Sequence, residues 1–180
     1  SPLALGEGKE ERLLDLTGGY GVDTYFLSEQ FIHTDYVEQN EELCRIAAHN
    51  FALSQKSKVK RQKLSIAIHN TTAEDFLLSS PCGEAGWGLI FLDPARRDSH
   101  GSKVFRIEDC TPNVVELLPT LLAHSKRLLI KLSPMLDLTQ AVTSLSQVNW
   151  DIHIVAIKNE VKEVLLLSGG TGQIITIDLA

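Results

Sequence analysis

Hydrophobic positions along the chain follow two periods in turn. Arg12–Thr17 is a short apolar run, and it empties into a turn holding Gly18, Gly19 and Gly21. From Val22 to Gln30 the spacing becomes helical, with Val22, Phe26 and Leu27 on one side. His33–Glu38 reads as a second strand. Asn40 then caps a helix over Glu41–Leu53, with Leu43, Ile46, Ala47 and Phe51 on its buried stripe. Leu64–His69 is a third strand and Ala73–Leu78 a short helix. Gly88–Leu92, GLIFL, is the continuous apolar run of a strand covered on both faces. A helix is expected over Pro112–Ala123, with Thr111 as cap, Pro112 in the first position, and Pro119 kinking or shortening it. Arg127–Leu132 is a fifth strand, and Asp137 caps a helix running to about Val148. Ile152–Ile157 and Val161–Leu167 form a hairpin, and a last strand, Ile174–Leu179, follows the Gly169–Gly172 turn.

Strand–helix alternation demands parallel pairing with right-handed crossovers. The expected fold is therefore α/β: a doubly wound, mostly parallel seven-stranded sheet with an antiparallel C-terminal hairpin. Ligands of such sheets sit outside the carboxyl ends of the strands, where the first glycine turn lies.

Composition narrows the setting. The 180 residues are 43% hydrophobic and 22% charged, ordinary for one globular domain. No apolar run approaches the ~20 residues that span a bilayer, and residues 1–11 lack the apolar core of a signal peptide. Cys44, Cys82 and Cys110 form no CxxC pair, which argues against a disulfide framework or a zinc site and suits a reducing cytoplasm. The start at Ser1 without Met reads as an excised piece or a processed chain, with partner domains expected elsewhere. The net charge of −6 does not advertise nucleic-acid binding, although the basic segment KSKVKRQK, residues 56–63, offers a local patch.

The glycine turn carries the chemistry. Glycines ahead of a helix let a ligand approach the backbone, and free N–H groups there suit phosphate. A nicotinamide cofactor would want G-x-G-x-x-G, yet Gly19-Tyr20-Gly21-Val22-Asp23-Thr24 lacks the third glycine, and Asp23 sets a negative charge beside the pyrophosphate. No GKS or GKT follows, which excludes a P-loop. The acids fit S-adenosylmethionine better, since it has no phosphate but has a ribose diol, an ammonium and an adenine amine. Asp15 at the first strand's end would orient the ammonium, directly or through water. Glu38 at the second strand's end would accept from ribose hydroxyls. Asp75 would accept from the adenine amine, with Phe76 flanking the ring.

After the fourth strand comes Asp93-Pro94-Ala95-Arg96-Arg97-Asp98. With DLTGGYGVD, YVEQN, TAEDF and DPAR in this order, each after an expected strand, the chain resembles class I, Rossmann-like, S-adenosylmethionine-dependent methyltransferases over nearly its whole length. It is most similar to bacterial RNA methyltransferases. DLTGGYGVDT resembles the DATAGLGRDA-type motif of small-subunit rRNA guanine-N2 methyltransferases. DPARRD, EDCTP and IKLSPMLD together resemble methyltransferases that carry a THUMP-like domain. The resemblance implies S-adenosylmethionine held by Asp15, Thr17, Gly18, Gly19, Gly21, Asp23, Glu38, Asp75, Phe76 and Asp93, with Asp93, Pro94 and Arg96 catalytic. It implies methyl transfer to an exocyclic amine of an RNA base, with RNA engaged through flanking domains, and no membrane or metal.

One departure stands out. Amino methyltransferases show (D/N)PP(Y/F) here, whose aromatic stacks on the target base, and this chain has Ala95 and Arg96 in the last two places. The stacking partner is either lost or supplied elsewhere, with Arg96 as a candidate because guanidinium planes also stack on bases. The uridine-C5 route needs a cysteine that Lys131-Leu132-Ser133-Pro134 does not supply, and Cys110 is not expected to act as a nucleophile. A methyltransferase of a small molecule or protein, and a cofactor-binding regulatory domain without catalysis, remain as alternatives.

Overall fold

The structure, a computed structural model, describes residues 10–56, 65–80, 86–96 and 106–179. Residues 57–63 of the basic segment, Cys82, Arg97 and Asp98 lie outside the described residues. The chain gathers into two compact units that divide between Ile90 and Phe91.

The first unit holds β1 (Glu10–Asp15), α1 (Val22–Leu27) with a 3-10 turn at Ser28–Gln30, β2 (Phe31–Val37), α2 (Glu41–Lys56), β3 (Ile66–His69) and α3 (Ala73–Ser79). It also takes the first four residues of β4 (Trp87–Leu92). Its strand order is β3-β2-β1-β4. Parallel pairing runs from Glu10 opposite Phe31 to Asp15 opposite Tyr36, and from Thr34 opposite Ile66 to Val37 opposite His69. Every residue of β4 is buried, as its unbroken apolar run predicts. Asn40 caps α2 as expected, its Oδ1 accepting from the N–H groups of Glu42 and Leu43. The helix packs Cys44, Ala47 and Phe51 on Tyr36, whose ring meets Phe51 edge-on at 5.8 Å.

A polar joint crosses this unit. Asp35 on β2 accepts from Arg12 of β1 (2.9 Å) and from the Trp87 indole of β4 (3.1 Å), and His69 of β3 lies 3.0 Å away. Burial pushes the Asp35 carboxyl up, but the Trp87, Arg12 and His69 partners outweigh it and hold it below the usual range. The Arg12 guanidinium also lies over the Trp87 ring, 5.2 Å from its centroid.

The second unit holds α4 (Val114–His124), β5 (Ser125–Leu132), α5 (Leu138–Ser144), β6 (Trp150–Ile157), β7 (Glu160–Ser168) and β8 (Ile174–Leu179). The order of its strands is β5-β7-β6-β8. β6 and β7 form the expected antiparallel hairpin, turning at Lys158 and Asn159 with φ of 52° and 63°. β7 is also antiparallel to β5. The α/β architecture, mostly parallel with antiparallel strands toward the C-terminus, follows the alternation in the sequence. β8 is the expected last strand, parallel to β6, and it brings the strands among the described residues to eight where seven were expected.

Helix bounds differ from expectation in three places: α5 ends at Ser144 rather than near Val148, and α4 departs at its start and at Pro119. Thr111 does not cap α4, because its backbone bridges Ala95 instead, through N–H···O bonds of 2.8 and 3.0 Å. Asn113 caps the helix, its Oδ1 accepting from Val115 and Glu116. Pro119 does not end α4. The helix runs through it to His124, sparing only the one N–H that proline lacks. Among the described residues no helix is long and apolar enough to cross a membrane.

Candidate active site

The glycine turn follows β1 in the first unit, and its geometry explains why three glycines crowd there. Gly18 N–H donates to Val37 O (2.9 Å), which seats the turn against the end of β2. A Cβ on Gly18 would lie 2.1 Å from the Tyr36 ring. Gly21 has φ of 78°, and its Cβ would lie 2.6 Å from the Phe51 ring. At Gly19, by contrast, nothing but Thr17 O comes within 4 Å of an added Cβ, although its φ of 53° still favours glycine. The turn is packed on its inner side and open at Gly19.

Asp15 is 1% exposed. Its Oδ1 accepts from Thr17 N–H (3.0 Å) and its Oδ2 from the Thr24 hydroxyl (2.5 Å). The carboxylate thus ties β1 to the first turn of α1, a place within the turn's own bonding rather than on its surface. Asp23 sits in that first turn, half-buried. Glu38 stands one residue past β2. Its Oε2 accepts from Gly19 N–H (3.0 Å) and its Oε1 from Asn40 N–H (2.7 Å). The side chain is half-buried, so each oxygen keeps a lone pair for a further donor. Tyr36 closes the turn from below, donating its hydroxyl to Gly19 O (2.6 Å). Burial, with Cys44 and the Glu38 and Asp15 carboxylates nearby, pushes its phenol far up, so it remains a donor.

Asp75 and Phe76 lie in the first turns of α3, which Thr72 caps by accepting from Asp75 N–H (3.1 Å). Asp75 is exposed. The Phe76 ring packs on His69 at 4.8 Å and on Trp87 at 6.0 Å, so it buttresses the Asp35 joint. Asp15, Thr17, Gly18, Gly19, Gly21, Asp23 and Glu38 are thus gathered at the strand ends of one unit. Asp75 and Phe76 stand after the next strand of that unit.

The second unit has its own pocket, of about 350 Å³, at the ends of β5 and β7. Asp93, Pro94, Ala95 and Arg96 line it, as do Lys131 and Ser133 at the end of β5 and Lys162 and Glu163 on β7. The bridge between Ala95 and Thr111 pins the Asp93–Arg96 segment to the residues before α4. Lys131 Nζ lies 2.9 Å from Asp93 Oδ2, with the side chains 21% and 41% exposed, so both are accessible from the pocket. Lys162 pairs with Glu160 at 2.6 Å. Cys110 is buried, and burial pushes its thiol up to about 11 despite the opposing Arg96 cation, which keeps it a poor nucleophile.

Lys131 and Glu163 were not singled out as functional by the sequence. The signal for Lys131 was a cation interrupting the apolar run LLIKL of β5. Glu163 stands in the alternation of β7 and carries no signal of its own. Among the described residues no three His, Cys, Asp or Glu side chains converge as metal ligands.

No protein-family profile matches this chain, and no curated protein matches it. Solved structures do. A candidate methyltransferase of Porphyromonas gingivalis W83 matches with a TM-score of 0.73 and 29% identity, over 92% of this chain and 38% of that one. This chain thus spans well under half of that protein's length. A candidate methyltransferase of Streptococcus mutans, in complex with SAH, matches with a TM-score of 0.61 and 12% identity, over 89% of each chain. An rRNA methylase of Streptococcus thermophilus matches with a TM-score of 0.59 and 13% identity, over 89% of this chain and 87% of that one. At such identities the last two speak for the fold alone.

Proposed function

We propose that this chain is the catalytic domain of an S-adenosylmethionine-dependent methyltransferase that acts on RNA. The observation that carries the reading is the turn after β1, tied at its open Gly19 N–H to the Glu38 carboxylate. An acid at the end of β2, beside an open glycine, suits a ribose diol. The stretch from Asp15 to Asp23 contains no cation for a phosphate, which suits a phosphate-free nucleoside better than a dinucleotide. The Streptococcus mutans relative with SAH and the rRNA methylase relative support the same reading.

When bound, the cofactor supplies a methyl group activated on a sulfonium. The chain's own residues bind and position. Glu38 accepts from the ribose hydroxyls, Asp15 holds the shape of the turn, and Asp75 accepts from the adenine amine. Pro94 and Arg96 shape the acceptor pocket beside Asp93. Positioning of this kind contributes roughly 7–11 kcal/mol to a displacement. On Asp93 alone the acceptor is an exocyclic amine of a base. With Lys131 beside it the pocket also offers a cation, and the acceptor atom turns on which of the two the substrate meets.

Calorimetry against S-adenosylmethionine and NAD, with transfer of labelled methyl to total RNA by the full-length protein, tests the reading. Binding of S-adenosylmethionine but not NAD, with label in RNA, is expected. Tight NAD binding, or label in protein or small molecules alone, overturns it.

A further inference from the structure

The Asp93–Lys131 pair has a third member. Lys131 stands opposite Leu165 in the antiparallel ladder of β5 and β7, and residues opposite one another share a face. Glu163 is two residues before Leu165 and so projects to that same face. All three side chains line one pocket. We propose that Asp93, Lys131 and Glu163 form an acceptor site for a hydroxyl oxygen, the ribose 2′-hydroxyl of RNA. This rests on the methyltransferase reading and names its acceptor atom.

The argument starts from hydrogen-bond chemistry. A lysine ammonium has three donors and no acceptor. Set against an amine it presents donor to donor, and it cannot hold the amine's hydrogens away from the incoming methyl. Set against an oxygen it donates, orients a lone pair, and stabilises the negative charge that develops as the hydroxyl proton leaves. Amines need no such help, because the nitrogen lone pair attacks before any proton is lost. Asp93 holds the ammonium in place at 2.9 Å. RNA bases carry carbonyls rather than hydroxyls, so the hydroxyl that an RNA offers along its length is the 2′-hydroxyl.

A ribose hydroxyl is reached at the backbone, where phosphates lie on both sides, and Arg96 in the pocket lining supplies a cation for them.

The step balances. The 2′-oxygen lone pair forms the new O–CH3 bond while the sulfonium C–S bond breaks and its electron pair stays on sulfur. The hydroxyl proton passes to the Glu163 carboxylate and then to water. Lys131 and Glu163 are the catalytic residues of this step, and Asp93 is the positioning residue that acts through Lys131.

The test uses full-length protein, labelled S-adenosylmethionine, and total RNA from a strain deleted for the gene. Digestion to nucleosides and mass spectrometry locate the methyl. A 2′-O-methylnucleoside with an unmodified base is expected. Lys131→Met should lower kcat on that RNA by ~10²-fold or more with calorimetric cofactor affinity unchanged, and Lys131→Arg, which keeps a donor, should recover part of it. Glu163→Gln should shift the pH–rate profile, as a purely structural residue would not. Without cofactor, an oligonucleotide of the labelled site should lose affinity when its target ribose is 2′-deoxy, and Lys131→Met should erase that difference. Methyl found on a base amine, or cofactor binding with no label in RNA, overturns this assignment alone. Failure to bind the cofactor overturns the methyltransferase reading and this assignment with it.

Discussion

The glycine turn of the first unit and the Asp93 pocket of the second are both built at strand ends, yet they are made in opposite ways. The turn is held almost wholly by its own chain. Asp15, Glu38 and Tyr36 each bond backbone or side-chain groups within a few residues of Gly19, and Gly18 and Gly21 sit against aromatic rings with no room for a methyl. The pocket is wide, half-exposed and lined with charges whose partners are other side chains. The first region is shaped by sterics, tightest at Gly18 and Gly21. The second is shaped by charged side chains around an open pocket.

The largest expected effect tests the steric half. Gly21→Ala meets both the Phe51 ring and an unfavourable φ. Overpacking and left-handed backbone together should cost about 2–5 kcal/mol, measured by urea denaturation. A loss under 1 kcal/mol would mean that the turn gives more readily than its contacts suggest. Next comes Asp93→Ala, expected to lower the methyl-transfer rate ~10²-fold, equivalent to about 2.7 kcal/mol, with stability and cofactor affinity nearly unchanged. Full activity would remove Asp93 from the site. Glu38→Ala crosses the two designs, since Glu38 is a charge that also holds the turn. Its cofactor affinity should fall by about 1.5–3 kcal/mol in calorimetry, the scale of hydrogen bonds to a charged group. Arg96→Ala should raise KM for RNA several-fold with little change in kcat, and Arg96→Lys, which keeps the charge but not the fork, should recover only part of it.

The smallest effect concerns pH. The Asp35 carboxyl is held below its ordinary value by Trp87, Arg12 and His69 despite burial. A carboxyl whose folded value is depressed stabilises the fold above its unfolded value and loses that contribution as pH falls through the folded one. Wild-type stability should therefore decline below about pH 4 more steeply than that of Asp35→Asn. Parallel pH–stability curves for the two proteins would show that the joint carries no such linkage.

The same contrast sets what the sequence could reveal. The glycine turn was legible because its determinants are local: an apolar run, three glycines and acids at strand ends lie within one short stretch and its next strand. Asn40 and Asp137 were legible as caps for the same reason, and Asp137 does accept from Gln140 N–H. Thr111 misled because its backbone is claimed by Ala95, a pairing across the intervening segment that no local rule contains. Lys131 and Glu163 were illegible because a ladder register, Lys131 opposite Leu165, brings them to the pocket that Asp93 lines. Phe76 was expected to flank a ligand ring; its packing on His69 and Trp87, neighbours supplied by two other strands, was not legible locally.

The Asp35 joint also constrains how such a chain can change over generations. Arg12, Asp35, His69 and Trp87 come from four separate strands and converge on one half-buried carboxylate. Losing Asp35 leaves a guanidinium without its counter-charge, and losing Arg12 leaves a carboxylate short of a donor, so either step alone is penalised. Exchanging the whole set for apolar residues carries no such penalty, but it cannot be reached one substitution at a time without crossing those losses. The four positions therefore act as a ratchet: descendants should either retain the quartet or have replaced it together, and mixed sets should be scarce.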